Sequence, residues 1–217
     1  MKLDRNSYGT VAMVYLFSAL LIWVLLRIVG IWWIYVPSIL ALIWFCCWQT
    51  LFHMVPRRER KGSSTRVSAV SDGKVVIMEK VFEAEWLGRE VMQISVYMDF
   101  WDFHADFWPI TGEVTYSKYH PGKHLLAFKP KASDENEHHC AAIRNENGKE
   151  VLFKLIAGGF ARRIVCYARE GMSVEAGAQC GIIKFGSRVD YFLPLDADIR
   201  VRMGEEVRAC ETIIALI

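Results

Sequence analysis

The sequence predicts a mainly β protein, a sandwich- or barrel-like soluble domain behind an N-terminal transmembrane helical hairpin. Charge is absent from Asn6 to Leu26 and again from Ile28 to Phe52. Downstream, short runs rich in Val, Ile, Phe and Tyr recur from Val75 onward, and turn signals separate them.

Each uncharged run is long enough to cross a bilayer core of about 30 Å at about 1.5 Å per residue. One continuous helix would be about twice too long and would bury Arg27 near its middle, at a cost of about 3 kcal/mol. A hairpin is expected instead, with spans over about 8–27 and 33–52, Gly30 in the turn and Pro37 early in the second helix. Lys2 and Arg5 precede the first span, and Arg57, Arg58, Arg60 and Lys61 follow the second. By the positive-inside rule both ends face the cytoplasm, which places the protein in the cell (inner) membrane with its soluble domain on the cytoplasmic side. A cleaved signal peptide fits less well, because the second run has no short apolar core followed by a small-residue cleavage site. Trp23, Trp32, Trp33, Trp44 and Trp48 argue against a buried hairpin of a soluble protein.

Residues 1–55 are therefore expected as the anchor, and the charged, Ser/Gly-rich stretch 56–65 as a linker. Residues 66–217 are expected as the β-rich domain. Its strands are expected at Val75 to Met78, Val91 to Met98, Glu113 to Tyr119, Leu125 to Phe128, Glu150 to Ile156, Arg163 to Ala168, Gly181 to Phe185, Val189 to Leu193 and Thr212 to Leu216. Ser71-Asp72-Gly73, Pro121-Gly122, Asn145-Glu146-Asn147-Gly148 and Glu170-Gly171 read as turns. Ser133 to His138 is the best stretch for a short helix.

A formal charge of +2 over 217 residues gives no electrostatic footprint for nucleic acid, and a hydrophobic fraction of 53% excludes disorder. The six cysteines, Cys46, Cys47, Cys140, Cys166, Cys180 and Cys210, show no C-x-x-C pair and are expected reduced.

Lys184-Phe185-Gly186-Ser187-Arg188-Val189-Asp190 joins two apolar stretches near the carboxyl end. A serine hydroxyl can attack the carbonyl before it, turning amide into ester, and glycine there tolerates the bent backbone. Elimination from that ester leaves a pyruvoyl group, an electrophile the side chains lack. On the pair alone, a turn on a strand edge is the better reading.

Five motifs in order change that. They are Ser71-Asp72-Gly73-Lys74-Val75-Val76; Asp102-Phe103-His104 through Trp108-Pro109-Ile110-Thr111-Gly112; Lys131-Ala132-Ser133-Asp134-Glu135-Asn136-Glu137; Ile156-Ala157-Gly158 through Ala161-Arg162-Arg163-Ile164; and the Gly186-Ser187 segment. In this order, over about residues 66–216, the chain resembles the phosphatidylserine decarboxylases in their short bacterial form.

The resemblance implies cleavage between Gly186 and Ser187, giving a β chain of 1–186 and an α chain of 187–217 whose Ser187 becomes the covalent pyruvoyl cofactor. It implies that Asp72 and His104 act with Ser187, the histidine moving protons and the carboxylate holding its tautomer. It further implies a Schiff base between that pyruvoyl and phosphatidylserine, loss of CO2, and His104 as the proton donor that yields phosphatidylethanolamine. Its partners are then the lipid substrate, the bilayer and the two chains of one proenzyme, with homo-oligomerisation left open. Many longer members carry a second histidine where this chain has Phe107, which leaves open whether His104 serves both reactions. Longer members also have Leu-Gly-Ser-Thr, whereas Gly-Ser-Arg is common in the short form.

Other residues carry weaker readings. Arg188, beside the cleavage point, is the candidate for substrate carboxylate or phosphate, ahead of Arg162 and Arg163. His120, His124, His138, His139 and Cys140 match no zinc spacing, and the pyruvoyl chemistry needs no metal, so no metal site is expected. The aromatic residues Phe100, Trp101, Phe103, Phe107 and Trp108 read either as a membrane-facing lip or as a packed sheet face. Two other functions stay open: an unprocessed membrane-tethered β-rich binding or scaffold protein, and a pyruvoyl-dependent decarboxylase of a soluble amino acid.

Overall fold

A computed structural model describes residues 1–4, 6–28, 32–56, 58–99, 102–125, 132–159, 164–183 and 187–217. The chain divides into two compact units, Met1–Pro56 and Arg57–Ile217.

The first unit contains β1 (Lys2–Leu3), α1 (Tyr8–Ile28), α2 (Trp32–Phe52) and β2 (Met54–Val55). Antiparallel pairing of Lys2 with Val55 and Leu3 with Met54 brings the outer ends of both helices together, as a hairpin requires. The Asp4 amide donates to the His53 carbonyl at 3.1 Å. Between the helices, the Tyr15 and Thr50 hydroxyls lie 3.0 Å apart, and the Cys46 thiol donates to the Ser18 hydroxyl at 3.4 Å. Outward-facing side chains are apolar: Leu16 is 72% exposed and Trp44 64%. Tyr8–Arg27 is long and apolar enough to cross a membrane, and Tyr35–Leu51 is a shorter apolar helix among the described residues. A helix that is apolar all round needs an apolar surrounding. Arg5 and residues 29–31, which include Gly30 of the expected turn, lie outside the described residues.

The second unit contains β3 (Arg66–Ser68), β4 (Gly73–Glu83), β5 (Arg89–Met98), β6 (Ala105–Phe107), β7 (Gly112–His120), α3 (Ala132–Glu135), β8 (His138–Arg144) and β9 (Glu150–Ala157). It continues with β10 (Ile164–Cys166), β11 (Ser173–Val174), β12 (Gln179–Ile183), β13 (Ser187–Leu193), β14 (Asp198–Ile199), β15 (Glu206–Val207) and β16 (Ile213–Leu216). Eight strands form one sheet in the order β11-β7-β8-β9-β13-β5-β4-β15. Two three-stranded sheets, β10-β12-β6 and β14-β16-β3, accompany it.

Side chains alternate across a strand, so the large sheet has two different faces. One carries Val189, Tyr191 and Leu193 with Ile94, Val96, Met98, Phe153 and Leu155, and is the main core. Trp108 meets Phe153 there edge-on at 6.0 Å between ring centroids. The other face carries a smaller apolar cluster of Val91, Cys140, Ala142, Leu152 and Phe192, together with buried Gln93, Lys154, Arg188 and Asp190. The sheet curls toward this second face into a half-barrel. Glu85, in the β4–β5 turn, accepts a hydrogen bond from the Tyr116 hydroxyl on β7 at 2.8 Å and pairs with Lys154 on β9 at 3.3 Å, although several strands lie between.

Most expected strands are present with longer ends. Strand β8 is not among them: its opening His138-His139 disguises an alternation that only pairing with β7 and β9 reveals. Leu125 lies outside any strand, and 126–128 fall outside the described residues. The charged stretch expected as a linker hydrogen-bonds to the β domain: the Lys61 amide donates to the Cys210 carbonyl at 3.0 Å and the Thr111 amide to the Ser63 carbonyl at 3.3 Å. All six cysteines are free.

Candidate active site

Ser187 opens β13, and β13 lies in the sheet interior, between β5 and β9, rather than on an edge. Its register partners are Met98 on β5 and Ala157 on β9. The side chain is fully buried, and its hydroxyl donates weakly to the Met98 sulfur at 3.5 Å. Its surroundings on that face are apolar, so a charge developing on its oxygen would find little solvent. Lys184, Phe185 and Gly186, the residue on the other side of the expected cleavage point, lie outside the described residues, as do Arg162 and Arg163.

His104 is also fully buried and directly precedes β6. β6 pairs antiparallel with β12, and the Ile183 amide at the end of β12 donates to the His104 carbonyl at 3.1 Å. Ser187 is thus the register partner of Met98 in the large sheet, and the Ile183 amide bonds the His104 carbonyl at the smaller one. The described residues that flank the expected cleavage point, Ile183 and Ser187, are each paired with a residue at one end of the 98–104 stretch.

The His104 ring has a defined tautomer. Nδ1 lies 2.7 Å from the Asp102 carbonyl, which can only accept, so Nδ1 carries the proton and Nε2 is left basic. The oxygen beside Nδ1 in this contact is a backbone one, two residues away. No side-chain pattern could have signalled that.

Asp72 sits in the Ser71-Asp72-Gly73 turn that leads into β4, beside β5. Its Oδ2 accepts from Arg58 at 2.6 Å and its Oδ1 from the Ala209 amide at 2.8 Å. Burial raises its pKa against the opposing pull of the Ala209 amide and of Arg58. Arg58 also lies over the Phe103 ring, 5.9 Å from its centroid, and so links Asp72 to the residue before His104. Asp72, Arg58, Tyr97, Asp99, Asp102 and Phe103 line a cleft of about 800 Å³. Gly73 holds this turn against β5: its φ is +148°, and a Cβ there would sit 2.3 Å from the Tyr97 carbonyl oxygen.

Arg188 faces the other way. Its Nε lies 2.8 Å from Asp190 Oδ1, an ion-pair contact off the hydrogen-bond axis, and its terminal nitrogen donates to Asp190 Oδ2 at 3.0 Å and to Ser133. Both side chains of the pair are fully buried.

Asp106 escaped the sequence reading. On β6, two residues after His104, it is fully buried, and neither carboxylate oxygen has a hydrogen-bond partner among the described residues. Desolvation drives its pKa well above the ordinary carboxylate value. A lone carboxylate inside an aromatic run was the available signal. Of the aromatic residues read either as a lip or as a packed sheet face, Phe107 and Trp108 are core, 4% and 2% exposed, while 100–101 fall outside the described residues.

Comparison with known proteins gives the family of the chain. The phosphatidylserine decarboxylase family model matches residues 48–215. A phosphatidylserine decarboxylase proenzyme of Amoebophilus asiaticus is 44% identical over 170 residues, 78% of this chain and 76% of that one. One from Cytophaga hutchinsonii is 40% identical over 164 residues, covering 76% and 74%, and one from Parabacteroides distasonis is 36% identical over 181, covering 83% and 82%. The match takes in all three candidate residues, and the chain belongs to the phosphatidylserine decarboxylase family.

Proposed function

We propose that the chain is a phosphatidylserine decarboxylase proenzyme, a carboxy-lyase that cuts itself between Gly186 and Ser187 and then converts phosphatidylserine to phosphatidylethanolamine. The observation that carries this reading is the double pairing of Ser187 with Met98 and of Ile183 with His104, which sets the flanks of the proposed cleavage point against both ends of the stretch that holds the proposed proton carrier.

The chain's own residues divide the work. His104, basic at Nε2, takes the Ser187 hydroxyl proton during self-cleavage and returns a proton to the substrate carbon after CO2 leaves. The Asp102 carbonyl steadies the imidazole and stabilises it when charged. Asp72, held by Arg58 and the Ala209 amide, supplies negative charge near Phe103, over whose ring the same Arg58 lies. The setting of Ser187 fits a pyruvoyl group formed in place, because the side chain is small, buried and flanked by Met98 and Ala157 rather than by charges. Such a group supplies an electrophilic carbonyl and electron sink that no ordinary side chain offers. Arg188 is committed to Asp190 on the opposite face, which favours a positioning role over a grip on substrate.

The lipid substrate accords with the apolar N-terminal helix, which suits attachment to the bilayer. The division into anchor, domain and two chains after cleavage is part of the same proposal. Mass spectrometry of the protein from its native host tests it: a fragment ending at Gly186 and a small partner with a blocked amino end are expected. An intact chain, or a Ser187→Ala variant that still cleaves, overturns it.

A further inference from the structure

We propose that Glu85, His120 and His138 form a site for a divalent transition-metal ion of the zinc class, on the sheet face opposite Ser187. One potential ligand atom from each residue lies within 4.8 Å of the others. The juxtaposition comes from two features of the fold. His120 and His138 are direct register partners on β7 and β8, so their rings project from the same face. Curling of the sheet then brings the β4–β5 turn over them, placing Glu85 Oε1 2.5 Å from His120 Nε2.

The surroundings orient the ligands as metal sites do. His138 Nδ1 donates to the Asn136 carbonyl at 2.7 Å, which leaves Nε2 free to coordinate. The two imidazoles stack at 4.5 Å with 15° between their planes, and one ring has to tilt out of the stack for both to point a nitrogen at one ion. Lys154 lies 3.3 Å from Oε2 of Glu85, while Oε1 faces His120 and accepts a hydrogen bond from the Tyr116 hydroxyl at 2.8 Å, which leaves Oε1 a further lone pair for an ion. Two imidazoles and one carboxylate suit Zn²⁺ at about 2.0–2.2 Å, with a fourth position open to water. Closing on such an ion requires side-chain shifts of about an ångström. His120 and Glu85 are partly exposed, their side chains 25% and 19% accessible, so an ion can reach them.

Sequence spacing hides this site. One ligand comes from a hairpin turn and the others from two strands, so no short motif contains them. A bound ion would clip the β4–β5 turn to the β7–β8 ladder, where Trp86 already stacks on Tyr116 at 4.5 Å.

The test uses the full-length chain in detergent, stripped with a chelator and titrated with Co²⁺ and Zn²⁺. One Co²⁺ per chain with visible ligand-field bands is expected, together with a thermal transition that rises with Zn²⁺ concentration. His120→Ala and His138→Ala should each weaken binding at least about tenfold, while His124→Ala leaves it unchanged. Lys154→Met should tighten it by removing a neighbouring positive charge. Absence of stoichiometric binding by the wild-type chain overturns the proposal, as does unchanged binding by His138→Ala with native circular dichroism. Binding, not decarboxylation, is the readout, so the result does not depend on the activity proposed above.

Discussion

Ser187 and Arg188 are adjacent in sequence, yet their side chains stand on opposite faces of the same central strand: one in the apolar core beside Met98, the other in a buried pair with Asp190. In the function proposed above, the first face carries the chemistry and the second holds the strand that presents it. Removing one member of a buried ion pair costs about 3–5 kcal/mol, because the other charge stays buried. Arg188→Met should therefore lower the stability of the full chain by that order, measured by urea unfolding, and slow maturation with it. Arg188→Met combined with Asp190→Leu should regain most of the loss. Were Arg188 a substrate ligand, Arg188→Lys would instead raise KM with stability intact.

His104 is the histidine whose backbone joins the strand leading to Ser187. His104→Gln keeps a polar side chain but cannot carry a proton near neutral pH, and general acid–base catalysis contributes about 10²–10⁴-fold. Self-cleavage should slow by at least about 10²-fold, with the intact chain persisting on a denaturing gel. Rapid cleavage followed by loss of CO2 release would confine His104 to the second reaction.

How far the sequence reveals this site depends on whether side chains or backbone do the work. Asp72, His104 and Ser187 stand in recognisable motifs, and alternating hydrophobicity marks β5, β9 and β13. The Asp102 carbonyl that orients His104 is invisible because every residue has one. β8 is obscured because its polar opening residues are accommodated only once its neighbours are paired. Arg188 reads as available from its position beside Ser187, and only the two-residue alternation of β13 assigns it to Asp190.

Gly73 couples the Asp72 turn to β5. Gly73→Ala puts a methyl group into the Tyr97 carbonyl and imposes a backbone angle that alanine rarely adopts. Stability should fall by more than about 1 kcal/mol, and maturation should slow because Asp72 is displaced. Unfolding curves together with a time course of cleavage check both effects.

Asp106 should make the β domain lose stability as pH rises. Its folded pKa lies well above the ordinary carboxylate value of 3.8, because burial opposes charge and no partner offsets it. Below 3.8 the acid is neutral in both states, so its contribution is fully present. Above that value the unfolded chain releases the proton while the folded chain retains it. Stability then falls with a slope of up to about 1.4 kcal/mol per pH unit until the folded pKa is passed. Asp106→Asn keeps the shape and removes the titration. Its unfolding free energy, measured from about pH 5 to 8, should decline less steeply than that of the wild-type chain, the difference widening toward the alkaline end. Parallel slopes for the two proteins would show that Asp106 ionises in the folded state as readily as in the unfolded one. The same buried carboxyl lies two residues from His104, so the variant's cleavage rate also reports whether a nearby carboxyl matters to that imidazole. An unchanged rate with an altered slope would confine Asp106 to stability.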